Sequence, residues 1–442
     1  MGHMVGKDVY QELGKKINNL TLRAGWNEKF YNMIKALYSE EEADVVVKMP
    51  YGFSNLARVA KVTKYEPTRL RKVIESLCEK GLVMDAWVNN DYYYMPSPIV
   101  IGLFEFTMMR TGDNLPSKEW AKLFHDYLME GSFYRMNWRH GEKTSVERTL
   151  PYEEAVADHV EILDYEKASA IIEANDRFAI GLCSCRHEKT HMGEKTCETP
   201  LDTCSMFGDI SDTMVRNKFA KPVSKSEMLD NLARSKDLGL VINADNVKNT
   251  AGFMCHCCGC CCNLLLGITK FGYPNTLVTS TFIAEIEEET CSGCGKCAKA
   301  CHINAIEMVP IDNPQTKKKK SPKIDKSICL GCGVCAMKCK PKSLKLVKRE
   351  QRVIHPETTF ERVILQSLER GNLQYQIFDN PQSMTQDVMR GILGGFLRIP
   401  ATKKALMSDL LRSRFLTFMK AGIKIQGRGW LTELYTHPQD KD

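Results

Sequence analysis

Two stretches decide how this chain reads: "CSGCGKCAKAC" at residues 291–301 and "CLGCGVCAMKC" at residues 329–339. Both carry the spacing C-x2-C-x2-C-x3-C, the first through Cys291, Cys294, Cys297 and Cys301, the second through Cys329, Cys332, Cys335 and Cys339. In such a loop three thiolates wrap one four-iron cubane and the fourth is carried away to reach the other. The expected ligand sets are Cys291, Cys294, Cys297 with Cys339, and Cys329, Cys332, Cys335 with Cys301. Gly293, Gly295, Gly331 and Gly333 permit positive φ, which lets backbone N–H groups turn toward the sulfurs. Four-thiolate zinc sites also use C-x2-C pairs, but two complete copies offset by 38 residues favour two [4Fe-4S] clusters.

Residues 283–350 thus resemble a two-cluster bacterial-type ferredoxin domain. In that family a proline follows the fourth cysteine; here His302 and Lys340 stand there, while Ala305-Ile306 and Ser343-Leu344 keep the pattern. The resemblance implies transfer of low-potential electrons. The same stretch holds fourteen Lys or Arg against eight Asp or Glu, a formal +6. Two loaded cubanes at roughly −2 each leave about +2, a balance that suits an acidic redox partner.

Ten more cysteines form a second field. Cys183, Cys185, Cys197 and Cys204 lie in "CSCRHEKTHMGEKTCETPLDTCSMFG" (183–208), and Cys255, Cys257, Cys258, Cys260, Cys261 and Cys262 in "CHCCGCCC" (255–262). Along an extended segment neighbouring side chains diverge, so Cys255 and Cys257 share one direction and Cys258 takes the other. One strand can therefore present sulfur to two sites. Ten thiols suit two four-ligand clusters with two left over, one cluster with structural thiols, or two clusters with five sulfurs each. Arg186 is placed to bond a sulfide or an anion, and His187, His191 or His256 to ligate; core or surface side chains are the plainer reading of the histidines. Vicinal cysteines are poorly disposed to disulfides, and Cys78, alone on its helix, reads as a buried apolar side chain.

Cys257-Cys258-Gly259 resembles the CCG element of heterodisulfide-reductase-type subunits, which hold noncubane clusters. The order CSCR, CETPLDTCSMFG, MCHCCGCCC and two ferredoxin loops, over roughly 150–350, is similar to a group of 4Fe-4S dicluster-domain proteins of anaerobic bacteria and archaea. That resemblance implies electron transfer, and the ten clustered thiols themselves favour one or two iron–sulfur clusters beyond the ferredoxin pair.

The remaining chain bounds these readings. With 442 residues, 43% hydrophobic and 26% charged, it has room for two to four domains. The net charge of +7 is too modest to announce nucleic acid. The uncharged run Asn249 to Thr269 is long enough to span a bilayer, but its six cysteines, histidine and asparagines argue against it. Met1 to Met4 read as a cloning scar, and Val5 to Lys16 is too polar for a signal peptide, so a reducing cytoplasm is expected.

Phe30, Met33, Ile34 and Leu37 fall at helical spacing, Ser39 with Glu42 forms a capping box, and Pro67 opens a helix striped by Leu70, Val73, Ile74 and Leu77. "LVMDAWVNNDYYYMP" then alternates around Asn89-Asn90 as a hairpin. This order resembles a winged helix. Its wing, Leu82 to Pro98, has no Lys or Arg for phosphate, so DNA is disfavoured against protein docking or a structural role.

The expected fold class is α+β multidomain: a scar and leader at 1–26, a winged-helix-like domain at 27–112, a helical linker at 113–177, a cysteine-rich iron–sulfur domain at 178–282, a ferredoxin-like dicluster domain at 283–350, and a helical C-terminal region at 351–442. The leading expectation is a multi-cluster electron-transfer protein of an anaerobe. The alternatives are a reductase acting on a thiol, disulfide or other small substrate within the Cys183 to Cys262 field, and a redox-sensing winged-helix regulator. Oligomeric state, donor and acceptor are not fixed by sequence.

Overall fold

The first element of the chain is already a buried one. In the computed structural model, which describes residues 8–112, 114–311, 318–351, 353 and 355–433, helix α1 (Val9–Asn18) packs on the N-terminal helices with Leu13 and Ile17 sealed from solvent. The segment read as a leader therefore supplies core. Residues 1–4 lie outside the described residues.

Helices α2 (Glu28–Leu37) and α3 (Glu40–Lys48) follow, the latter begun by the Ser39–Glu42 capping box in full. Strand β1 (Ser54–Asn55), α4 (Leu56–Thr63) and α5 (Pro67–Glu79) lead into the hairpin of β2 (Val83–Val88) and β3 (Asp91–Pro96). Asn89 and Asn90 both have positive φ, the geometry that two-residue hairpin turns demand. β1 joins the other edge of β3, so the three strands run in the order β1-β3-β2.

Helices α6 (Phe104–Met109), α7 (Ser117–Met129) and α8 (Ser132–Trp138) cover what comes next. The region read as a helical linker is not helical throughout: Glu147–Thr149 forms β4, the edge of a central sheet, followed by α9 (Ala168–Glu173). The sheet continues through β5 (Phe178–Leu182), α10 (Ser184–Met192), β6 (Asp202–Phe207), α11 (Gly208–Arg216), β7 (Ala220–Val223), α12 (Lys225–Asp237), β8 (Val241–Asp245) and β9 (Phe253–Cys257), then α13 (Asn263–Thr269). Its strand order is β4-β8-β9-β6-β5-β7, with antiparallel neighbours throughout. β8 is buried at all five positions, so it shows no alternation for a reader of sequence to find.

The two CxxCxxC loops sit between two small antiparallel pairs, β10 (Phe282–Ile286) with β13 (Leu344–Lys348), and β11 (Ile306–Pro310) with β12 (Lys320–Ile324). Each loop runs into a short helix, α14 (Lys296–Ala300) or α15 (Val334–Met337), and the two helices touch. This unit docks on the segment after β4: Tyr152 N–H donates to Cys332 O at 3.0 Å, and Ala157 N–H to Leu346 O at 3.0 Å.

The C-terminal region is helical as expected: α16 (Thr359–Arg370), α17 (Leu373–Ile377), α18 (Met384–Arg398), α19 (Pro400–Leu406) and α20 (Asp409–Ile425). Gly394 and Gly395 do not interrupt it; α18 runs through both, and Gly394 gives Gln374 room to pack. Arg362 of α16 reaches into the sheet to pair with Asp245 at 3.0 Å, and Asp379 ties Arg58 and Arg428 together from opposite ends of the chain. Among the described residues, no helix is long and apolar enough to cross a membrane.

Candidate metal centres

All nineteen cysteines are free thiols. In the ferredoxin-like unit the four expected glycines have φ between +68° and +84°. Gly331 shows why only glycine serves: a Cβ there would lie 2.1 Å from Phe282 O. Cys291, Cys294, Cys297 and Cys339 line one small cavity together. Cys301, Cys329, Cys332 and Cys335 form the other set, close enough that their charges oppose one another's ionisation. Each set takes three thiols from one loop and the fourth from the other, a donor set that would suit an iron–sulfur cluster.

Their surroundings differ. Cys294 is exposed, and the N–H of Lys296 holds its thiol below the usual range. Cys332 lies deeper, and burial pushes its thiol up to about 12. The first set is thus the outer one, and the second lies deeper, with Cys332 O bonded by the Tyr152 N–H.

The second cysteine field is divided by that sheet. β9 carries Cys255 and Cys257 on one face, while His256 points to the other and meets Ser205 Oγ at 2.9 Å. Burial pushes His256 down to about 3, so it is neutral. The chain then turns on itself, with Cys261 and Cys262 N–H groups both donating to Cys258 O. That turn sends Cys258, Cys260 and Cys261 toward Cys197, which arrives from the loop after α10. The Sγ separations are 3.6 Å for Cys197–Cys258, 3.8 Å for Cys258–Cys260 and 3.4 Å for Cys260–Cys261, and all four sulfurs lie within 4.8 Å of one another.

The other thiols form a looser chain. Cys204 of β6 neighbours Cys255, Cys255 neighbours Cys257, and Cys262 bridges Cys257 to Cys185 at the start of α10. Asn243 Nδ2 donates to Cys257 Sγ at 3.3 Å, and the Asn263 N–H to Cys185 Sγ at 3.5 Å, while the neighbouring thiols Cys255 and Cys262, with burial, push these two thiols well up. Cys183 sits between the two groups, its thiol raised to about 12 by burial. Cys257 and Cys258 of the CCG element therefore turn to different groups.

The looser group, together with Cys183, Cys258 and Cys261, lines a cavity of about 490 Å³ walled by the N-terminal helices, the sheet and the C-terminal helices. Two carboxyls that sequence reading missed stand there. Glu147 Oε1 lies 3.7 Å from Cys255 Sγ, and its second oxygen has no protein partner. Burial raises Glu147 to about 8 and Glu105 to about 7. Glu105, a lone acid inside the apolar run "GLFEFTMM", carried a signal that was legible; Glu147 in "SVERTLP" carried none.

Arg186 is fully buried, donating to the carbonyl oxygens of Pro200 and His256 and to Thr203 Oγ1. It also stands beside Cys258, whose thiol is held well below its usual value by a bond from Cys261 and by the guanidinium. His187 and His191 bond one another at 2.9 Å, with the other ring nitrogen of His187 on Met108 O.

His302, one of the two proline replacements, joins the two fields. Its Nδ1 accepts from the Gly259 N–H at 3.2 Å and its Nε2 donates to Gly239 O at 2.7 Å.

Residues 290–343 match the 4Fe-4S dicluster domain family. The match takes in both loops and the hairpin between them. No curated protein and no solved structure matches the chain. The dicluster domain, with the thiol groups beside it, points to iron–sulfur electron transfer or redox activity.

Proposed function

We propose that the chain is a multi-cluster iron–sulfur protein that passes low-potential electrons between redox partners in the reducing cytoplasm of an anaerobe. Cys291, Cys294, Cys297 and Cys339 would hold an outer cubane, and Cys301, Cys329, Cys332 and Cys335 an inner one. When bound, such clusters supply one-electron transfer. The observation that carries the reading is that the dicluster unit has an exposed end at Cys294 and a second thiol field beside it, reached where His302 bonds Gly259 in the turn of "CHCCGCCC". Around the outer set, Lys296, Lys299, Lys340 and Lys342 offer positive charge to an acidic partner.

The test is anaerobic iron and acid-labile sulfide analysis of the full chain. About eight of each, or more, is expected. Near-zero iron with stoichiometric zinc overturns the proposal.

A second reading is favoured by the cavity. Cys185, Cys204, Cys255, Cys257 and Cys262 would hold one further cluster, exposed to a chamber large enough for a small thiol, disulfide or similar substrate, with Glu105 and Glu147 placed to exchange protons. It predicts an EPR signal that shifts when substrate is added; an unchanged spectrum across candidates removes it.

The winged-helix reading of 27–112 is assigned to docking rather than to DNA. Its hairpin carries Asp85 and Asp91 and no basic residue, and Asp85 already pairs with Arg216 of α11. Sequence-specific DNA binding that changes with cluster oxidation would restore the regulator.

A further inference from the structure

We infer that Cys197, Cys258, Cys260 and Cys261 form a mononuclear tetrahedral site, taking a single zinc or iron ion through four thiolates without bridging sulfide. The inference stands apart from the electron-transfer reading and rests on the geometry of the four sulfurs.

With metal–sulfur bonds of about 2.3 Å, a tetrahedral ion places its four sulfurs roughly 3.8 Å apart. The separations found are 3.4, 3.6 and 3.8 Å, with every pair inside 4.8 Å. A cubane places each thiolate on a different iron, and the outward bonds spread the sulfurs to about 6 Å. Among the described residues, no three thiols of the dicluster loops come as close together as this group. The two kinds of thiol set differ in size in the same molecule, as one-metal and four-metal sites would.

The backbone is built for the compact arrangement. The turn at Cys258 to Cys262 brings three ligands to one side within four residues, and Gly259 at its tip has no space for a side chain, since a Cβ would lie 2.7 Å from His302 O. Cys197 closes the set from a separate loop, where Lys195 Nζ holds its carbonyl. Leu240 packs against Cys258 and Cys261 and excludes water from that side. Four thiolates around a divalent ion carry a net −2, and the buried Arg186 beside Cys258, its Nε without a protein partner, supplies opposing charge. His302, the residue after Cys301, bonds to this turn, so the ion would sit at the junction of the dicluster domain and the sheet.

The test uses the full chain prepared anaerobically, with zinc, iron and acid-labile sulfide measured together in the native protein and in the Cys197→Ser, Cys260→Ser and Cys78→Ser variants. The native chain is expected to carry one metal ion beyond the iron matched by sulfide: excess zinc marks a structural ion, and iron exceeding sulfide by one marks a redox-active ion. Cys197→Ser and Cys260→Ser should each lose that ion with sulfide unchanged, and Cys78→Ser should keep it. No excess ion in the native protein, or variants that lose sulfide along with several irons, overturns the inference, and the native measurement stands even where a variant fails to fold. Loss of the dicluster iron with the single ion retained would instead sink the electron-transfer proposal alone.

Discussion

The dicluster loops and the sheet-borne cysteines solve the same problem by opposite routes. In the loops each ligand is placed by its own few residues: spacing sets the direction of each thiol, and glycine at positive φ lets the backbone wrap inward. In the sheet field nothing local suffices. Cys197, Cys204 and Cys258 belong to different segments, and they come near their partners only because β6, β9 and α10 are packed as they are. Local encoding yields a set that a reader can assign from spacing; tertiary encoding yields sets that only the fold sorts.

The largest effect should separate the two regions outright. Cys332→Ser is expected to cost about four irons and four sulfides, one cubane, whereas Cys204→Ser should leave the dicluster iron intact. Anaerobic metal analysis decides, and loss of dicluster iron from Cys204→Ser would break the contrast.

Next in size come the glycines. At Gly331, where φ is +68° and the Cβ would strike Phe282 O, alanine should cost about 3 kcal/mol or more. At Gly259, where φ is not left-handed and the closest approach is 2.7 Å, the cost should be about 1–2 kcal/mol. Anaerobic denaturant titration of both variants ranks them, and the reverse order would mean that the sheet turn is the tighter of the two.

Breaking the joint between the regions is a smaller change. His302→Ala removes two hydrogen bonds and leaves the Gly259 N–H and Gly239 carbonyl without partners, a loss of about 1–2 kcal/mol. Iron and sulfide in the dicluster domain should be unaffected, so a lower melting temperature with full cluster content is the expected pair of readings.

The smallest effect concerns the scaffold of the sheet. His355, buried and bonded to Asn246, is pushed by burial from its ordinary 6.5 down to about 3. Between those values the unfolded chain takes up a proton that the folded chain refuses, so stability falls as pH drops through this window. His355→Gln should remove that slope, worth about 0.8 kcal/mol at pH 6 and growing by about 1.4 kcal/mol for each further pH unit. Melting curves at pH 6 and 7 test it, and an unchanged slope would show that His355 is protonated in the fold.

Much of the N-terminal order was legible. The Ser39–Glu42 capping box, Pro67 at a helix start and the Asn89-Asn90 turn are local signals, and each is realised. The central sheet was not legible, because its strands are three to six residues long and β8 is buried on both faces, which erases the alternation that marks a strand. The short β4 lies inside the stretch that reads as a helical linker, and α1 inside the stretch that reads as a leader, although Leu13 and Ile17 are core.

The sequence alone determined the dicluster loops, their crossed thiol sets and the possibility that "CHCCGCCC" presents sulfur in two directions, since all of these follow from spacing and from the two-residue period of an extended chain. Tertiary structure decided which sulfurs face which: Cys255, Cys257 and Cys262 toward Cys185, Cys204 and the cavity, Cys258, Cys260 and Cys261 toward Cys197. The reason is physical. Periodicity fixes the direction in which a side chain leaves its own backbone, but whether another thiol stands there depends on segments more than fifty residues away, brought close by burial of the sheet between helices.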